Sequence, residues 1–209
     1  MDLDSIRSSL RNNLDAKYES REQGLTLCRK AIRLSANSIR AVHRGDGAEA
    51  ERLQGEARSC LEQAATAMTD HPDIRHAGFY HDASKEYAES RITHALVFGL
   101  QLPTPEEIGV EAPAYLNGMG EAIGEVRRHI LDLLRRGDLK RSEGLMDVMD
   151  EIYYLLITMD YPDAMTGGLR RTTDVARSII ERTRGDLSTT IIQQGLKNAL
   201  EEGGHNRPR

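Results

Sequence analysis

Period-two patterning is missing from this chain. β-Branched residues never alternate with polar ones over a useful length, whereas apolar residues recur at intervals of three and four. The sequence therefore predicts an all-α protein. Gly and Pro fall mostly between the periodic segments. Arg-Gly-Asp occurs three times, at 44–46, 136–138 and 184–186. Arg suits the negative end of a helix, Gly the left-handed position just past it, and Asp the N-cap of the next helix, so each tripeptide predicts a tight corner. Asp70-His71-Pro72, Pro103-Thr104-Pro105, Pro113 and Asp160-Tyr161-Pro162-Asp163 punctuate the chain further, with Thr104 expected as a cap and Pro105 at the first helical position.

These signals predict seven helices, at about 3–44 (with an interruption expected near Gly24), 46–69, 72–100, 113–136, 139–159, 164–184 and 187–202. Short connections favour antiparallel neighbours in a bundle. With 209 residues and no long linker, residues 1–202 are expected to form a single helical domain, and 203–209 a disordered tail.

Composition narrows the functional classes. No apolar run approaches the roughly 20 residues needed to span a membrane. The acidic start, Met1-Asp2-Leu3-Asp4, lacks the pattern of a secretory signal. Two cysteines, Cys28 and Cys60, are too few for a disulfide framework, so the expected compartment is the reducing cytoplasm. A net charge of −5 argues against wholesale nucleic-acid binding, yet leaves room for a local basic face. Such a face is present between residues 21 and 44, where six basic residues meet a single acid, Glu22. Leu25, Cys28, Ile32, Ser35, Ile39 and Val42 make an expected buried seam, and Arg29, Arg33, Arg40 and Arg44 a stripe beside it. The stripe suits a phosphate backbone, and equally a solvated surface or salt bridges between subunits.

Two acidic pairs stand apart from this pattern. Glu86 and Glu89 are three residues apart, Glu121 and Glu125 four, so each pair shares a helix face. Such pairs are common on solvated helices. Here Gly118, Gly120 and Gly124 interrupt the second helix at about 1 kcal/mol each relative to Ala, which points to close backbone approach. Ala83, Ala88, Ala122 and Ile123 add partial burial, and converging buried acids need a cation. An all-oxygen ligand set favours Mg²⁺ or Mn²⁺ over Zn²⁺. A di-iron bundle is disfavoured, because Glu-x-x-His is missing at both pairs. No P-loop or dinucleotide fingerprint is present.

Lys85-Glu86-Tyr87-Ala88-Glu89-Ser90 resembles the Q-E-Y-V-E-A motif of the translin family. Tyr115-Leu116-Asn117-Gly118-Met119-Gly120-Glu121-Ala122-Ile123-Gly124-Glu125-Val126-Arg127-Arg128 resembles the Y-L-L-G-x-x-D-x-x-G-E-L-x-R motif of its translin-associated factor X branch. The likeness runs from about residue 20 to 202. It implies a seven-helix subunit assembled into a closed oligomeric barrel, and an archaeal-type homo-octamer. It further implies a Mg²⁺- or Mn²⁺-dependent endoribonuclease cleaving single-stranded RNA. Matched position by position, the catalytic acids are Glu86, Glu89 and Glu121, with Glu125 as a further ligand or support. Glu121 departs from the family's usual Asp by one methylene, which shifts the expected ligand geometry.

Phosphate contacts are expected from Arg29, Arg33, Arg40 and Arg44, and from Arg127 and Arg128 beside the second acidic pair. The alternative functional reading is an oligomer that binds single-stranded RNA or DNA without cleaving it. A third is a purely structural oligomer, since the seam on the first helix is equally available to a partner subunit.

Overall fold

The structure is a computed structural model and describes residues 2–205. Among these residues the chain forms helices and no strand. The elements are α1 (Leu3–His43), α2 (Gly47–Ala67), α3 (Pro72–Arg75), α4 (Phe79–Phe98), α5 (Pro105–Ile108), α6 (Ala112–Arg136), α7 (Leu139–Thr158), α8 (Asp163–Thr166) and α9 (Leu169–His205). No described helix is long and apolar enough to cross a membrane. The chain divides into two compact units, Met1–Gly118 and Met119–Arg209, with the division falling inside α6.

Two of the three Arg-Gly-Asp corners form as expected. Gly45 and Gly137 take positive φ, +80° and +79°. Asp46 and Asp138 then cap the following helices, accepting from the backbone N–H of Glu49 and of Arg141 at 3.1 Å. Thr104 and Glu107 form a reciprocal capping box at the start of α5.

The third corner does not form. Helix α9 runs unbroken through Arg184, Gly185 and Asp186. Both charged residues serve neighbouring helices instead: Arg184 pairs with Asp150 of α7 at 2.8 Å, and Asp186 with Arg127 of α6 at 2.8 Å. The break expected at 160–163 instead extends through the short α8 to Gly167 and Gly168, both with positive φ. The segment expected as one helix over 72–100 is split into α3 and α4, because Gly78 at φ +94° cannot continue a helix. Helix α9 continues through His205, and the rest of the expected tail, residues 206–209, lies outside the described residues.

In the first unit α1 packs on α2 and α4, and α2 packs on α4. Small residues line the α1 and α2 faces of the core, and Met68, Tyr87 and Ile92 are buried among them. Gly24, Cys28, Ala31, Ser35, Ser38 and Ala41 line the buried face of α1, and Ala50, Ala57 and Ala64 of α2 are fully buried at seven-residue spacing. Leu25 and Ile32, expected in the seam, lie at its half-buried edge. Gly24 does not interrupt α1; a β-carbon there would meet Met68 Sδ at 2.7 Å. Hydroxyls and an amide bond across to neighbouring backbones: Ser20 Oγ to Ala67 O, Ser38 Oγ to Ala50 O and Gln54 Nε2 to Ser90 O. Cys28 and Cys60 are both buried free thiols, and burial followed by the neighbouring Cys60 pushes the Cys28 pKa up to about 11.

In the second unit α7 packs on α9, with α8 against α9 as well. Its buried side chains include Met149, Ile152 and Leu156 of α7 and Ile180 and Leu187 of α9.

Glycine substitutions separate open from crowded helix positions. A methyl at Gly144 or Gly185 meets nothing within 4 Å, whereas one at Gly120 lies 2.5 Å from Thr172 Cγ2. Gly144→Ala and Gly185→Ala are expected to raise stability by about 0.5–1 kcal/mol each, and Gly120→Ala to lower it by about 1–3 kcal/mol, measured by denaturant unfolding. Both thiols should resist iodoacetamide at pH 8 in the native protein and react on unfolding, which mass spectrometry reads directly.

Candidate metal centre

Helix α4 starts after Gly78 and stops at Gly99, where φ is +68°. Between them Ala83, Ser84, Tyr87, Ala88 and Ser90 are buried, which fixes the helix's rotation about its axis. Glu86 and Glu89 then fall at the edge of the buried face, each half-buried. Lys85 Nζ lies 3.8 Å from Glu86 Oε1, so the lysine belongs to the acids' surroundings rather than pointing elsewhere.

Helix α6 approaches α4 through Gly118. A β-carbon at that position would meet the Lys85 carbonyl oxygen at 2.7 Å, Ala88 Cβ at 2.9 Å and the Glu89 nitrogen at 2.9 Å. No residue with a side chain fits against that backbone. Glu121 follows on the next turn of the same helix. Glu86, Glu89 and Glu121 each present a carboxylate oxygen, and the three atoms lie within 4.8 Å of one another.

This donor set fits a hard divalent cation. Two ligand oxygens on opposite sides of one Mg²⁺ are about 4.2 Å apart, so small torsional changes in three glutamates close the remaining gap. Carboxylate oxygens without thiolate or imidazole match Mg²⁺ or Mn²⁺. Glu125, one turn beyond Glu121, is outside this group of three; its carboxylate lies 3.9 Å from Arg128.

The expected phosphate-contacting residues are carried by two helices, α1 and α6. Arg29, Arg33, Arg40 and Arg44 are all exposed along α1, with Arg40 donating to Asn37 at 2.8 Å. Arg128 is exposed. Arg127 is engaged locally, donating to Thr183 Oγ1 at 3.0 Å and to Asp186 at 2.8 Å. Of the three glycines that suggested close approach, Gly118 and Gly120 have it, whereas a methyl at Gly124 would make an ordinary 3.8 Å contact with Ile179. Arg91 and His94 share the Tyr87 face of α4, and the signal for this in the sequence is the i, i+4, i+7 spacing of Tyr87, Arg91 and His94.

Gly118→Ala is expected to force α6 off the α4 backbone at Glu89. Stability should fall by about 1–3 kcal/mol. Mn²⁺ affinity, read by calorimetry, should drop by about tenfold or more even where the variant remains helical. Gly124→Ala should leave Mn²⁺ affinity unchanged.

No family model matches the chain. Among curated proteins it is 27% identical over 191 residues to an uncharacterised protein, MJ0175, of Methanocaldococcus jannaschii, covering 91% of this chain and 85% of the relative. Among solved structures it is similar to AfC3PO, at 32% identity over 92% of this chain and 98% of that one, with a TM-score of 0.78. The AfC3PO complex with duplex RNA matches at the same identity and coverage with a TM-score of 0.76. Apo-NeC3PO, at 20% identity and a TM-score of 0.73, shares the fold. Agreement at this level over nearly the full length of both chains, together with Glu86, Glu89 and Glu121 on their two helical motifs, places the chain in the translin family, alongside the C3PO proteins.

Proposed function

We propose that this chain is a Mg²⁺- or Mn²⁺-dependent endoribonuclease that cleaves single-stranded RNA, working in the cytoplasm as a homo-octamer of closed-barrel form. The convergence of the Glu86, Glu89 and Glu121 carboxylates carries this reading. These three residues would hold the ion, with Glu125 in support from the next turn of α6. Bound there, a divalent ion supplies charge stabilisation at phosphoryl oxygens and a lowered pKa for coordinated water. The chain's own contribution is positional. Gly118 sets the helix spacing, Lys85 offsets part of the negative charge beside Glu86, and two helices rather than loops carry the acids. Arg29, Arg33, Arg40 and Arg44 offer charge for sequence-independent phosphate contacts. Two buried free thiols accord with a reducing compartment.

Glu121 stands where the family motif carries Asp. Its extra methylene reaches further from α6, so the geometry of the set depends on that side chain's torsions as well as on helix spacing.

A second reading, RNA binding without turnover, is favoured by AfC3PO's solved complex with duplex RNA and by the exposed α1 arginines. Labelled single-stranded RNA incubated with the purified protein separates the two. The nuclease reading expects cleavage in Mn²⁺ or Mg²⁺, abolished by EDTA and reduced by on the order of 100-fold in Glu89→Ala. Glu121→Asp should retain activity. Cleavage that survives both EDTA and Glu89→Ala refutes the assignment. Metal-independent binding that weakens steeply with salt, without any turnover, supports the second reading.

A further inference from the structure

A half-open cleft of about 380 Å³ lies in the first unit between α2, α4 and the segment leading to α5. Its volume is within the range of small-molecule sites, roughly 300–1,000 Å³. Arg91 and His94 come to it from α4, Glu51 and Arg58 from α2, and Gln101 from the connecting segment. At 100° per residue, the mean direction of Arg91 and His94 lies about 140° from that of Glu86 and Glu89 around the α4 axis. The cleft is therefore on the other side of α4 from the carboxylates.

Its polar groups are incompletely satisfied. Arg91 makes a long bond, 3.4 Å, from Nη1 to Tyr87 Oη, and among the described residues it faces no carboxylate within ion-pair distance. His94 is only 6% exposed and, among the described residues, makes no hydrogen bond. Its ring packs edge-on against Phe98 at 4.9 Å. Burial holds the His94 pKa below its ordinary value, with Glu51 opposing and Arg91 reinforcing that shift. Neither ring nitrogen is shut off from solvent, so both remain open to a ligand entering the cleft. Arg58 engages Glu62 through Nε and reaches the Glu107 carbonyl through Nη1 at 3.4 Å, leaving Nη2 for another acceptor. Leu100 and Pro103 form an apolar wall beside these donors.

We propose that this cleft binds a small phosphate monoester of nucleoside-monophosphate size. The guanidiniums of Arg91 and Arg58 would take the phosphate, His94 and Gln101 polar groups of the sugar, and Leu100 with Pro103 its flat apolar end. Planar guanidiniums suit a tetrahedral anion better than point charges do. Glu51 excludes a ligand that is anionic throughout.

Calorimetric titration in EDTA tests the site without any metal at the carboxylates. AMP and ribose 5-phosphate are expected to bind saturably, adenosine at least tenfold more weakly than AMP, and Arg91→Gln to weaken AMP binding at least tenfold. Glu89→Ala should leave AMP affinity unchanged. Circular dichroism checks that Arg91→Gln keeps its helices, and Arg58→Gln gives a second reading of the same site should it not. Adenosine binding as tightly as AMP, no saturable binding by either phosphate ester, or an equal loss in Glu89→Ala and Arg91→Gln would each overturn the proposal. Because the cleft and the carboxylates are probed by different variants, loss of the nuclease assignment leaves this result standing.

Discussion

Contact between the Gly118 backbone and the α4 backbone governs the chemistry that this chain can carry. At 2.7–2.9 Å from an added methyl, the Lys85 carbonyl, Ala88 and the Glu89 amide leave room for a hydrogen and nothing more. That approach brings the stem of α6 to the turn of α4 bearing Glu86 and Glu89, and Glu121 rides on the same stem. Gathering three carboxylates is unfavourable by itself. The favourable packing elsewhere in both helices holds them together, and a bound cation then gains from an arrangement already formed.

The same economy of side-chain bulk runs through the first unit. With no Trp and two Phe in the sequence, large anchors are scarce. Fully buried Ala50, Ala57 and Ala64, and the Gly, Ala and Ser face of α1, compensate by letting helix axes come close. Close axes put backbone carbonyls within reach of Ser20, Ser38 and Gln54. Each such bond satisfies a buried polar group while linking two helices. Small residues contribute little apolar area individually, so stability here depends on dense contact over long helices.

Helical character, two corners and the Thr104 cap were legible in the sequence because they are local: capping bonds and positive φ involve neighbours in the chain. The glutamate pairs were legible as faces, and the family motifs supplied the expectation that both faces meet. What escaped was non-local. Arg184-Gly185-Asp186 carries the same letters as the two real corners, but Asp150 and Arg127 recruit its charges across to other helices and the backbone stays helical. Gly24 reads as a breaker, yet it is a seat for Met68. Gly78 ends a helix at a place without a proline to announce it. Arg91 and His94 read as ordinary helix residues until α2 and the segment after Gly99 close a cleft over them.

Helix α4 has little freedom of register. Its buried residues, its glutamate edge and the arginine–histidine side facing the cleft are all set by one rotation about one axis. Inserting or deleting a residue between Glu86 and His94 would turn everything beyond it by about 100°. Such a change would carry His94 out of the cleft while leaving Glu86 in place, or the reverse. The two edges therefore share a single coordinate: the length of this segment is constrained from both sides, and change at either edge is confined to substitution.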